Sequence, residues 1–385
     1  MRTIGVVTVA RSDYGIYRPV LRALAAREDV QLQLYVGGMH LLERFGWTVE
    51  EIERDGYPIA ERVDFLLPDD SPQAVAESIG RGVIGFAEAF ARSGPDMLVV
   101  LGDRFEMLAA VAAAVPLGVP IAHIHGGELT EGAIDDSIRH AITKLSHLHF
   151  VSTEQYAARV RRLGEENWRV VVSGAPALDA LADFRPLRAE ELRERFGVSP
   201  DERTLLVTFH PETLEPDRTE AHAAEVLAAV RGSGLGAVFT YPNADLGHLH
   251  IAAVFEEAAA SDERYRMIRS FGSEAYFSVL SRVGAMVGNS SSGIIEAPSF
   301  RLPVVNVGSR QHGRTRAANV IDVEPERTAI ASAIDRAIDP GFRRSLDGLV
   351  NPYGDGHAAA RIVEVLTTVP IDERLLRKRF EDGGG

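Results

Sequence analysis

Short aliphatic or β-branched runs alternate along this chain with longer segments of helical spacing. In the first half these runs are Ile4–Val9, Leu32–Val36, Met97–Leu101, Ile121–Ile124 and Val170–Val172. A second set follows at Leu205–Phe209, Ala237–Thr240, Met286–Gly288 and Val304–Val307. Such runs predict strands that are buried on both faces, and the segments between them predict helical crossovers. The pattern therefore predicts an α/β protein with two Rossmann-like, doubly wound domains.

The domain boundaries are predicted from the same pattern. The segment Ala182–Arg188 contains phenylalanine and proline between two regular regions and is the best candidate for a linker. We therefore expect a first domain over 1–181, a second over 182–368 and a C-terminal segment over 369–385. Two such domains turn the carboxyl ends of their strands toward a shared crevice, which is the usual ligand site of these architectures.

The composition limits the partners of this protein. The formal net charge is −14, and nucleic acids and anionic membrane surfaces both favour net positive charge. The chain has no cysteine, which excludes disulfides and thiolate sites and fits a reducing cytoplasm, where we expect the protein. The short apolar run at the N-terminus predicts a first strand, so we expect neither a leader nor a membrane-spanning segment.

Ionisable residues are concentrated between Leu101 and Phe150. This stretch contains Asp103, Arg104, His123, His125, Glu128, Asp135, Asp136, Arg139 and His140. So many ionisable groups beside glycines are costly to fold, and they are typical of a functional site. We therefore expect the chemistry to take place here.

A helix is predicted after Gly132, because an apolar stripe repeats there at helical spacing. The stripe consists of Ile134, Ile138, Ile142 and Leu145, and we expect it to be buried. The spacing also places Asp135 with Arg139 on one face of the helix, and Asp136 with His140 on another. His123 and His125 alternate along a strand and should point to opposite faces, so we predict no metal site.

Two strand-to-helix junctions contain groups suited to a phosphate. Arg11 and Ser12 follow the first strand, where the alternatives are anion binding and a simple helix cap. In the second half, Gly288–Gly293 joins a strand to a helix that contains Glu296. Small residues, hydroxyls and a helix N-terminus suit a diphosphate, and the Glu296 carboxylate can accept hydrogen bonds from ribose. An ordinary serine-rich cap is the alternative for this segment.

Other strands of the second half also end in polar residues. His210 follows one strand, Tyr241–Asp245 follows the next, and the loop 308–314 contains Arg310, Gln311 and Arg314. A single histidine after a strand is more often structural than catalytic. The two arginines suit a phosphate, with a solvated basic loop as the alternative.

Four segments together resemble the UDP-N-acetylglucosamine 2-epimerase family, especially its hydrolysing, sialic-acid-pathway branch. They are Leu101–Ala110, His123–Phe150, Tyr241–Asp245 and Gly288–Glu296, and the resemblance spans nearly the whole chain. It implies a GT-B-like fold with the nucleotide in the second domain and the sugar facing the first. It also implies a homodimer, no cofactor, and a C-terminal helix that returns to the first domain, with Ile371–Phe380 as the candidate.

The resemblance also implies roles for individual residues. The implied UDP-binding residues are Arg11, Ser12, Asn243, Ser290, Ser291, Glu296, Arg310, Gln311 and Arg314. The implied sugar-binding residues are Arg104, Arg139 and His140, and the implied catalytic residues are Asp103, His125, Glu128, Asp135 and His210. Some members of the family have a glutamate at the position of His125, so the acid/base role stays open between His125 and Glu128.

The expected reaction converts UDP-N-acetylglucosamine and water into N-acetylmannosamine and UDP. It proceeds by elimination of UDP to a 2-acetamidoglucal, followed by addition with inversion at C2. The alternatives are a non-hydrolysing epimerase that forms UDP-N-acetylmannosamine, and a hydrolysing epimerase of a UDP-2,4-diacetamido-6-deoxy sugar. Alternatives from other classes are a GT-B-type glycosyltransferase and a nucleotide-sugar sensor. The carboxylates of Asp103, Glu128 and Asp135 are more than either of these would require.

Overall fold

The computed structural model describes residues 1–69, 71–130, 134–182, 184–211, 218–242 and 248–382. The chain divides into two compact units. The first comprises Met1–Ala182 together with Tyr353–Gly385, and the second comprises Asp183–Pro352. Each unit contains one parallel β-sheet and the helices that cover it.

The first unit is a doubly wound α/β structure. Its strands are β1 (Arg2–Thr8), β2 (Val30–Gly37), β3 (Ile59–Val63), β4 (Met97–Leu101), β5 (Ile121–Ile124), β6 (Leu148–Val151) and β7 (Val170–Val172). Its helices are α1 (Arg11–Ala25), α2 (Val49–Asp55), α3 (Pro72–Ser93), α4 (Phe105–Ala114), α5 (Ile134–Leu145) and α6 (Glu154–Arg162), followed by two described below. These strands form a seven-stranded sheet in the order β3-β2-β1-β4-β5-β6-β7.

The second unit repeats this architecture. Its helices are α7 (Ala189–Phe196), α8 (Thr219–Ser233), α9 (His248–Ser261), α10 (Gly272–Leu280), α11 (Ser291–Ile295), α12 (Arg327–Ile338) and α13 (Pro340–Ser345). Its strands are β8 (Thr204–Thr208), β9 (Gly236–Thr240), β10 (Tyr265–Ile268), β11 (Ala285–Gly288), β12 (Val304–Val307) and β13 (Val320–Val323). They form a six-stranded sheet in the order β10-β9-β8-β11-β12-β13.

The strand order of each sheet identifies where a ligand is expected to bind. In a doubly wound sheet, ligands bind outside the carboxyl ends of the strands at the point where the order changes direction. That point lies between β1 and β4 in the first unit and between β8 and β11 in the second. A ligand is therefore expected beside the loops that follow these four strands.

The predicted fold class is confirmed. Each predicted strand is present, and β4, β5, β7 and β12 have the predicted bounds. The strands β3, β6, β10 and β13 were not predicted. The segment that forms β6 has histidines on both sides of Leu148, which conceals its aliphatic character although His149 is fully buried.

The predicted apolar stripe of α5 is only partly buried. Ile142 is fully buried and Ile138 nearly so, and both belong to the core between the sheet and α3 and α4. The prediction was wrong for Ile134, which is 66% exposed. As the first residue of the helix, Ile134 lies before the turn that packs on the sheet.

The chain returns to the first unit at Tyr353, earlier than the predicted position 369. The reason is the helix α14 (Ala358–Thr368), whose residues Ile362 and Leu366 are fully buried in the core of the first sheet. The guanidinium of Arg2 in β1 also donates hydrogen bonds to the carbonyls of Leu366 and Val369, at 2.5 and 2.8 Å.

The predicted C-terminal helix over Ile371–Phe380 is much shorter in the structure. Only α15 (Glu373–Leu376) is helical within this segment. The carbonyls of Arg374 and Leu375 accept hydrogen bonds from the buried guanidinium of Arg169 at 2.7 and 2.8 Å, so side-chain contacts satisfy groups that a longer helix would pair internally. Among the described residues, no helix is both long enough and apolar enough to cross a membrane.

We predict that Ile362→Ala loosens the first unit and leaves the second unchanged. The loss of a fully buried side chain should lower the free energy of unfolding by about 3 kcal/mol. Hydrogen–deuterium exchange read by mass spectrometry should show faster exchange in β1 and β2 and unchanged exchange in β8 and β9. The matched control is Val350→Ala, because Val350 is 82% exposed. Faster exchange in β8 and β9 instead would show that α14 stabilises the second unit.

Candidate functional site

In the first unit, the loop after β4 contains a predicted catalytic residue, Asp103, and a predicted sugar-binding residue, Arg104. Gly102 makes the turn in the left-handed region at φ +76°, and Arg104 begins α4 as its N-cap residue. The imidazole of His123 in β5 lies 2.8 Å from the Gly102 carbonyl through Nε2 and 3.2 Å from the Thr143 hydroxyl through Nδ1. Burial lowers the pKa of His123 to about 3, so this residue braces the turn as a neutral ring.

Asp103 forms an ion pair with Arg139 of α5, and the Arg139 guanidinium donates a hydrogen bond to its carboxylate. Burial raises the pKa of Asp103, Arg139 opposes that rise, and the nearby carboxylates of Asp135 and Glu128 add to it. These electrostatic interactions require the groups to lie close together. The structure therefore assembles Asp103, Glu128, Asp135 and Arg139 into one cluster, as predicted from the density of ionisable residues.

His125 and Glu128 form a buried pair in the loop after β5. The Nδ1 atom of His125 lies 2.5 Å from Glu128 Oε1, and the hydroxyl of Ser152 lies 3.2 Å from Nδ1 and 3.3 Å from Oε1. His125 Nε2 is buried, and no hydrogen-bond partner for it occurs in the described part of the chain. A carboxylate at Nδ1 favours the tautomer in which Nε2 has the lone pair. Ser152 was missed by the sequence analysis, since an isolated serine after a strand has no distinctive pattern.

The backbone of this loop is held in an unusual conformation. His125 lies in the left-handed region at φ +64°, and Gly127 follows at φ +76°. A Cβ atom at Gly127 would lie 2.6 Å from the Tyr156 carbonyl of α6, so only glycine fits. The guanidinium of Arg159 donates to the Gly127 carbonyl. The helix α6 therefore fixes the loop that presents His125, which lies beyond the end of β5 and not within the strand as predicted.

Arg104 is oriented by a carboxylate that the sequence analysis overlooked. Its guanidinium donates to Glu106 Oε1 at 2.7 Å and lies 3.2 Å from the sulfur of Met39. Glu106 is buried in the first turn of α4 with 1% exposure. A buried charge needs a partner, so this pair restricts the orientations of Arg104.

His140 and Asp136 form a separate pair on α5. Nε2 of His140 lies 3.6 Å from Asp136 Oδ2, while Asp136 Oδ1 accepts a hydrogen bond from the backbone of Thr130 at 2.8 Å. Burial lowers the pKa of His140, Asp136 opposes this change, and Arg139 adds to it. His140 therefore lies within electrostatic reach of Arg139, and Asp136 also binds the backbone at Thr130.

The N-terminus of α1 corresponds to the helix-cap alternative. The buried carboxylate of Asp13 accepts hydrogen bonds from the backbone N–H groups of Val9 and Ala10, at 3.0 and 3.2 Å. Arg11 and Ser12 are exposed, and Arg11 forms an ion pair of 3.2 Å with Glu51. The two predicted UDP ligands thus follow β1 at the switch point of the sheet, where the Asp13 carboxylate binds the two backbone N–H groups that precede the helix.

In the second unit, Asn289 connects the loops after β8 and β11. Its side-chain oxygen accepts from the His210 backbone N–H at 2.7 Å, and its side-chain nitrogen donates to the His210 carbonyl at 2.9 Å. Gln311 donates to the Asn289 carbonyl at 2.8 Å, and its own Oε1 is buried without a partner among the described residues. The residue before Asn289 is Gly288. A Cβ atom at this position would lie 2.0 Å from the Thr208 carbonyl, so a residue with a side chain would not fit. Asn289 was not predicted.

The serine-rich loop forms both a helix cap and a polar cluster. The Ser290 hydroxyl caps the short helix α11 by accepting from the Ser292 N–H at 3.3 Å. Tyr276 of α10, which was not predicted, donates to the Ser292 hydroxyl at 2.8 Å. Burial raises the pKa of the half-buried Glu296, while Ser292 and Arg314 oppose the rise. Glu296 Oε2 is buried and has no hydrogen-bond partner in the described ranges.

The loop after β12 brings its two arginines near these groups. Arg310 is close enough to His210 to lower the pKa of the imidazole, which burial already reduces to about 3. Arg314 interacts in the same way with Glu296. The predicted UDP ligands Ser290, Glu296 and this loop therefore occupy one end of the second sheet. Asn243, also predicted as a UDP ligand, lies outside the described residues.

The described ranges contain no group of three or more histidine, cysteine, aspartate or glutamate side chains arranged to hold a metal ion. The groups found at the carboxyl ends of the strands in the two sheets are instead acids, bases and donors suited to an anion.

Comparison with known proteins identifies the family. A family model described as UDP-N-acetylglucosamine 2-epimerase matches residues 22–367. The chain is 38% identical to the UDP-N,N'-diacetylbacillosamine 2-epimerase (hydrolyzing) of Legionella pneumophila over 379 residues, which are 98% of this chain and 99% of the relative. It is 36% identical to the GDP/UDP-N,N'-diacetylbacillosamine 2-epimerase (hydrolyzing) of Campylobacter jejuni, over 84% of each chain.

A solved structure has the same fold. It is described as a putative UDP-N-acetylglucosamine 2-epimerase from Listeria monocytogenes, and it superimposes with a TM-score of 0.77 at 19% identity over 95% of this chain and 96% of that chain. The family model matches most of the chain, and two relatives exceed 30% identity over most of it. This protein belongs to the UDP-N-acetylglucosamine 2-epimerase family.

Proposed function

We propose that this protein is a hydrolysing 2-epimerase of a UDP-linked 2-acetamido sugar, with UDP-N-acetylglucosamine and water as substrates and N-acetylmannosamine and UDP as products. The observation that carries the proposal is the cluster of the partly buried Asp103 and Asp135 with the buried Glu128 and Arg139, together with Nε2 of His125, which has no hydrogen-bond partner among the described residues. These are acid and base groups, which binding alone does not require. Two relatives whose names include the word hydrolyzing support the same branch.

The chemistry explains why both an acid and a base are needed. The C2–H bond of the sugar is not acidic in the ground state, because no carbonyl is attached to C2. Breaking the C1–O bond gives C1 oxocarbenium character and acidifies this hydrogen. A carboxylate then removes the C2 proton as UDP leaves with the electron pair of the C1–O bond. The 2-acetamidoglucal that results takes up hydroxide at C1 and a proton at C2, with water as the source of the hydroxide.

We assign the removal of the C2 proton to Asp103. Burial raises the pKa of this carboxyl, which makes its anion a stronger base, while Arg139 keeps the anion available by ion pairing. Asp135 lies near enough to influence Asp103, and we place it in the same catalytic set. Arg104, Arg139 and His140 bind the sugar in this proposal, and His210 completes the catalytic residues in the second unit.

We assign the return of the proton to His125 and give Glu128 a supporting role. The Glu128 carboxylate lies at Nδ1 of the ring, so Nε2 is the atom that can meet the substrate. A histidine held in this way exchanges protons at Nε2 while the carboxylate stabilises the charged ring. This assignment chooses between the two residues that the sequence analysis left open.

The nucleotide is assigned mainly to the second unit. UDP must leave as an anion, and Arg310, Arg314 and the serines Ser290 and Ser291 offer donors and positive charge for a diphosphate. Glu296 accepts hydrogen bonds from the ribose hydroxyls. The remaining proposed ligands are Arg11, Ser12, Asn243 and Gln311.

A second candidate substrate is UDP-N,N'-diacetylbacillosamine. The relatives at 38% and 36% identity are both named for this sugar, one of them with GDP as an alternative nucleotide. It has an acetamido group at C2, so the same acid and base groups can perform the same elimination. The choice between the two sugars depends on contacts to C4 and C6 and not on the catalytic cluster.

The proposed reaction can be followed directly by proton NMR in D2O with each UDP-sugar. We expect UDP together with the free 2-epimeric sugar, deuterated at C2. The preferred sugar is the one with the higher kcat/KM. A deuterated UDP-linked product would show a non-hydrolysing enzyme. Sugar transfer or hydrolysis without deuterium at C2 would contradict the proposed function.

Two substitutions should interrupt different steps of this reaction. Asp103→Asn keeps the shape of the side chain but cannot remove the C2 proton, so we expect turnover to fall by about 10³-fold. His125→Gln leaves proton removal intact and blocks the proton return, so we expect 2-acetamidoglucal and UDP to appear in its place. The NMR assay above distinguishes these outcomes.

The control for this pair is Asp64→Asn, because Asp64 is exposed in the first unit. It should retain wild-type turnover, and all variants should retain wild-type affinity for UDP. Full turnover by Asp103→Asn would remove Asp103 from the mechanism. Release of glucal by Asp103→Asn, with none from His125→Gln, would reverse the two roles.

The variant Glu296→Gln should bind UDP about tenfold more weakly, because the substitution removes a charged acceptor of hydrogen bonds. Isothermal titration calorimetry with UDP measures this change. Glu263→Gln is the matched control, since Glu263 is an exposed glutamate of the same unit. Equal UDP affinities of the two variants would contradict the ribose assignment of Glu296.

A further inference from the structure

A buried ionic cluster joins the C-terminal end of α5 to the C-terminal segment of the chain. At its centre is the fully buried carboxylate of Glu165, between α6 and β7. It accepts hydrogen bonds from Lys144 at 2.6 Å and from Lys378 at 2.9 Å. Nε2 of His149 in β6 lies 2.9 Å from its second oxygen. One carboxylate thus connects α5, β6 and the segment after α15.

Lys378 also contacts the end of α5 directly. Its ammonium donates to the Lys144 carbonyl at 2.6 Å, which is one of the carbonyls that a helix leaves without an internal partner. A positive charge at this end is further stabilised by the helix dipole. The side chain of Lys378 is only 19% exposed. Lys378 therefore holds the backbone at the end of α5 directly, and it shares the Glu165 carboxylate with Lys144, the lysine of this helix.

Two further contacts fix the segment that contains Lys378. The fully buried Arg169 donates to the carbonyls of Arg374 and Leu375, and the guanidinium groups of Arg169 and Arg374 lie 4.3 and 4.4 Å from the ring centre of Trp168. Such cation–π contacts are favourable when the groups are partly desolvated. On the N-terminal side of Lys378, the segment is therefore held by Arg169 and Trp168.

On the other side, Phe380 packs against Gly164. A Cβ atom at Gly164 would lie 2.3 Å from the ring, so the absence of a side chain there makes room for Phe380. The Lys144 ammonium lies 5.0 Å from the centre of the same ring, and the Glu381 N–H donates to the Gly164 carbonyl at 3.1 Å. Lys378 is thus fixed from both directions.

This cluster determines geometry more than it adds stability. Desolvation of the Glu165 carboxylate and of the mostly buried Lys378 ammonium costs much of what their attraction returns, so an apolar group could stabilise the same position equally well. Directed hydrogen bonds instead select one position for α5. Arg139 lies five residues before Lys144 on this helix, about 7.5 Å along its axis. A shift of α5 at Lys144 would therefore move Arg139 away from Asp103.

We propose that Lys378 is a positioning residue for the reaction, which it serves by holding α5 through Glu165 and Lys144 so that Arg139 meets Asp103. This inference rests on the proposed function for its catalytic consequence. Its structural part is that Lys378 controls the position of α5, and this part can be tested without measuring turnover.

The principal variant is Lys378→Met, which keeps the length of the side chain and removes its charge. We expect kcat to fall by about tenfold, because small displacements of catalytic groups have effects of this order, and we expect KM to stay unchanged. Lys378→Arg should restore most of kcat because it restores the cation beside Glu165. The control is Arg377→Gln, since the Arg377 side chain is 79% exposed and pairs only with the exposed Glu373 among described partners.

A pH profile separates positioning from a simple loss of folded protein. The groups that act on the Asp103 carboxyl are Arg139 and Arg104, which lower its pKa, and Asp135 and Glu128, which raise it. With Arg139 displaced, the pKa of Asp103 rises further. The acid limb of the kcat profile should therefore move to higher pH in Lys378→Met. Partial unfolding would lower kcat at every pH and leave the limb in place.

Hydrogen–deuterium exchange tests the same idea without turnover. Lys378→Met should speed exchange of the α5 amides, with Lys378→Arg and Arg377→Gln close to wild type. If the wild-type protein epimerises neither sugar, the proposed function fails while this measurement still decides whether Lys378 controls α5. Unchanged α5 exchange in Lys378→Met, or equal loss of kcat in Arg377→Gln, would overturn the inference. An unmoved acid limb would also overturn it.

Discussion

The ion pair between Asp103 and Arg139 is the interaction on which the first unit's site depends. It joins the loop after β4 to α5, two elements that are separate in the sequence and meet only because the sheet places β4 and β5 side by side. The pair also adjusts the acid–base behaviour of Asp103, since burial alone would raise the pKa of this carboxyl further. Position and reactivity of the proposed base are therefore controlled by the same contact.

The parallel sheets explain why distant segments of the chain collect at two places. In the second unit, the loops after β8, β11 and β12 contribute His210, Asn289 and Gln311, which bond to one another through Asn289. Because the strands are parallel and adjacent, the loops that follow them lie at the same edge of the sheet. Because Gly288 has no side chain, the loops after β8 and β11 can approach closely enough for the hydrogen bonds between Asn289 and His210.

The sequence predicted the aliphatic strands and the titratable cluster well, because burial and charge leave a pattern in residue type. It did not reveal residues whose role depends on a single partner in space. Ser152, Glu106 and Asn289 are ordinary residues in the sequence, and their importance appears only with their contacts. The early return of the chain at Tyr353 was missed for the same reason, since α14 packs against strands far away in the sequence.

Buried polar groups in this protein fall into two kinds, and their unpaired atoms help to separate them. In Asp13 and Asn289, both polar atoms of the side chain form hydrogen bonds within the protein, so these residues have a structural role. His125 and Glu296 each keep one buried atom without a partner in the described residues, and both lie beyond the carboxyl ends of strands at or beside a switch point. An unpaired atom alone is insufficient, because Nδ1 of His149 also has no partner in the described part of the chain while its ring belongs to the Glu165 cluster.

The combination of an unpaired atom with a place at a strand's carboxyl end is what points to a ligand. A buried polar atom without a partner costs free energy, and a substrate that supplies the partner recovers it. Nε2 of His125, Oε2 of Glu296 and Oε1 of Gln311 fit this argument, because each belongs to a side chain that its neighbours already orient. The same reasoning places Lys378 and Glu165 outside the reacting groups, since they bond to each other and to other groups of the protein and their effect reaches the site only through α5.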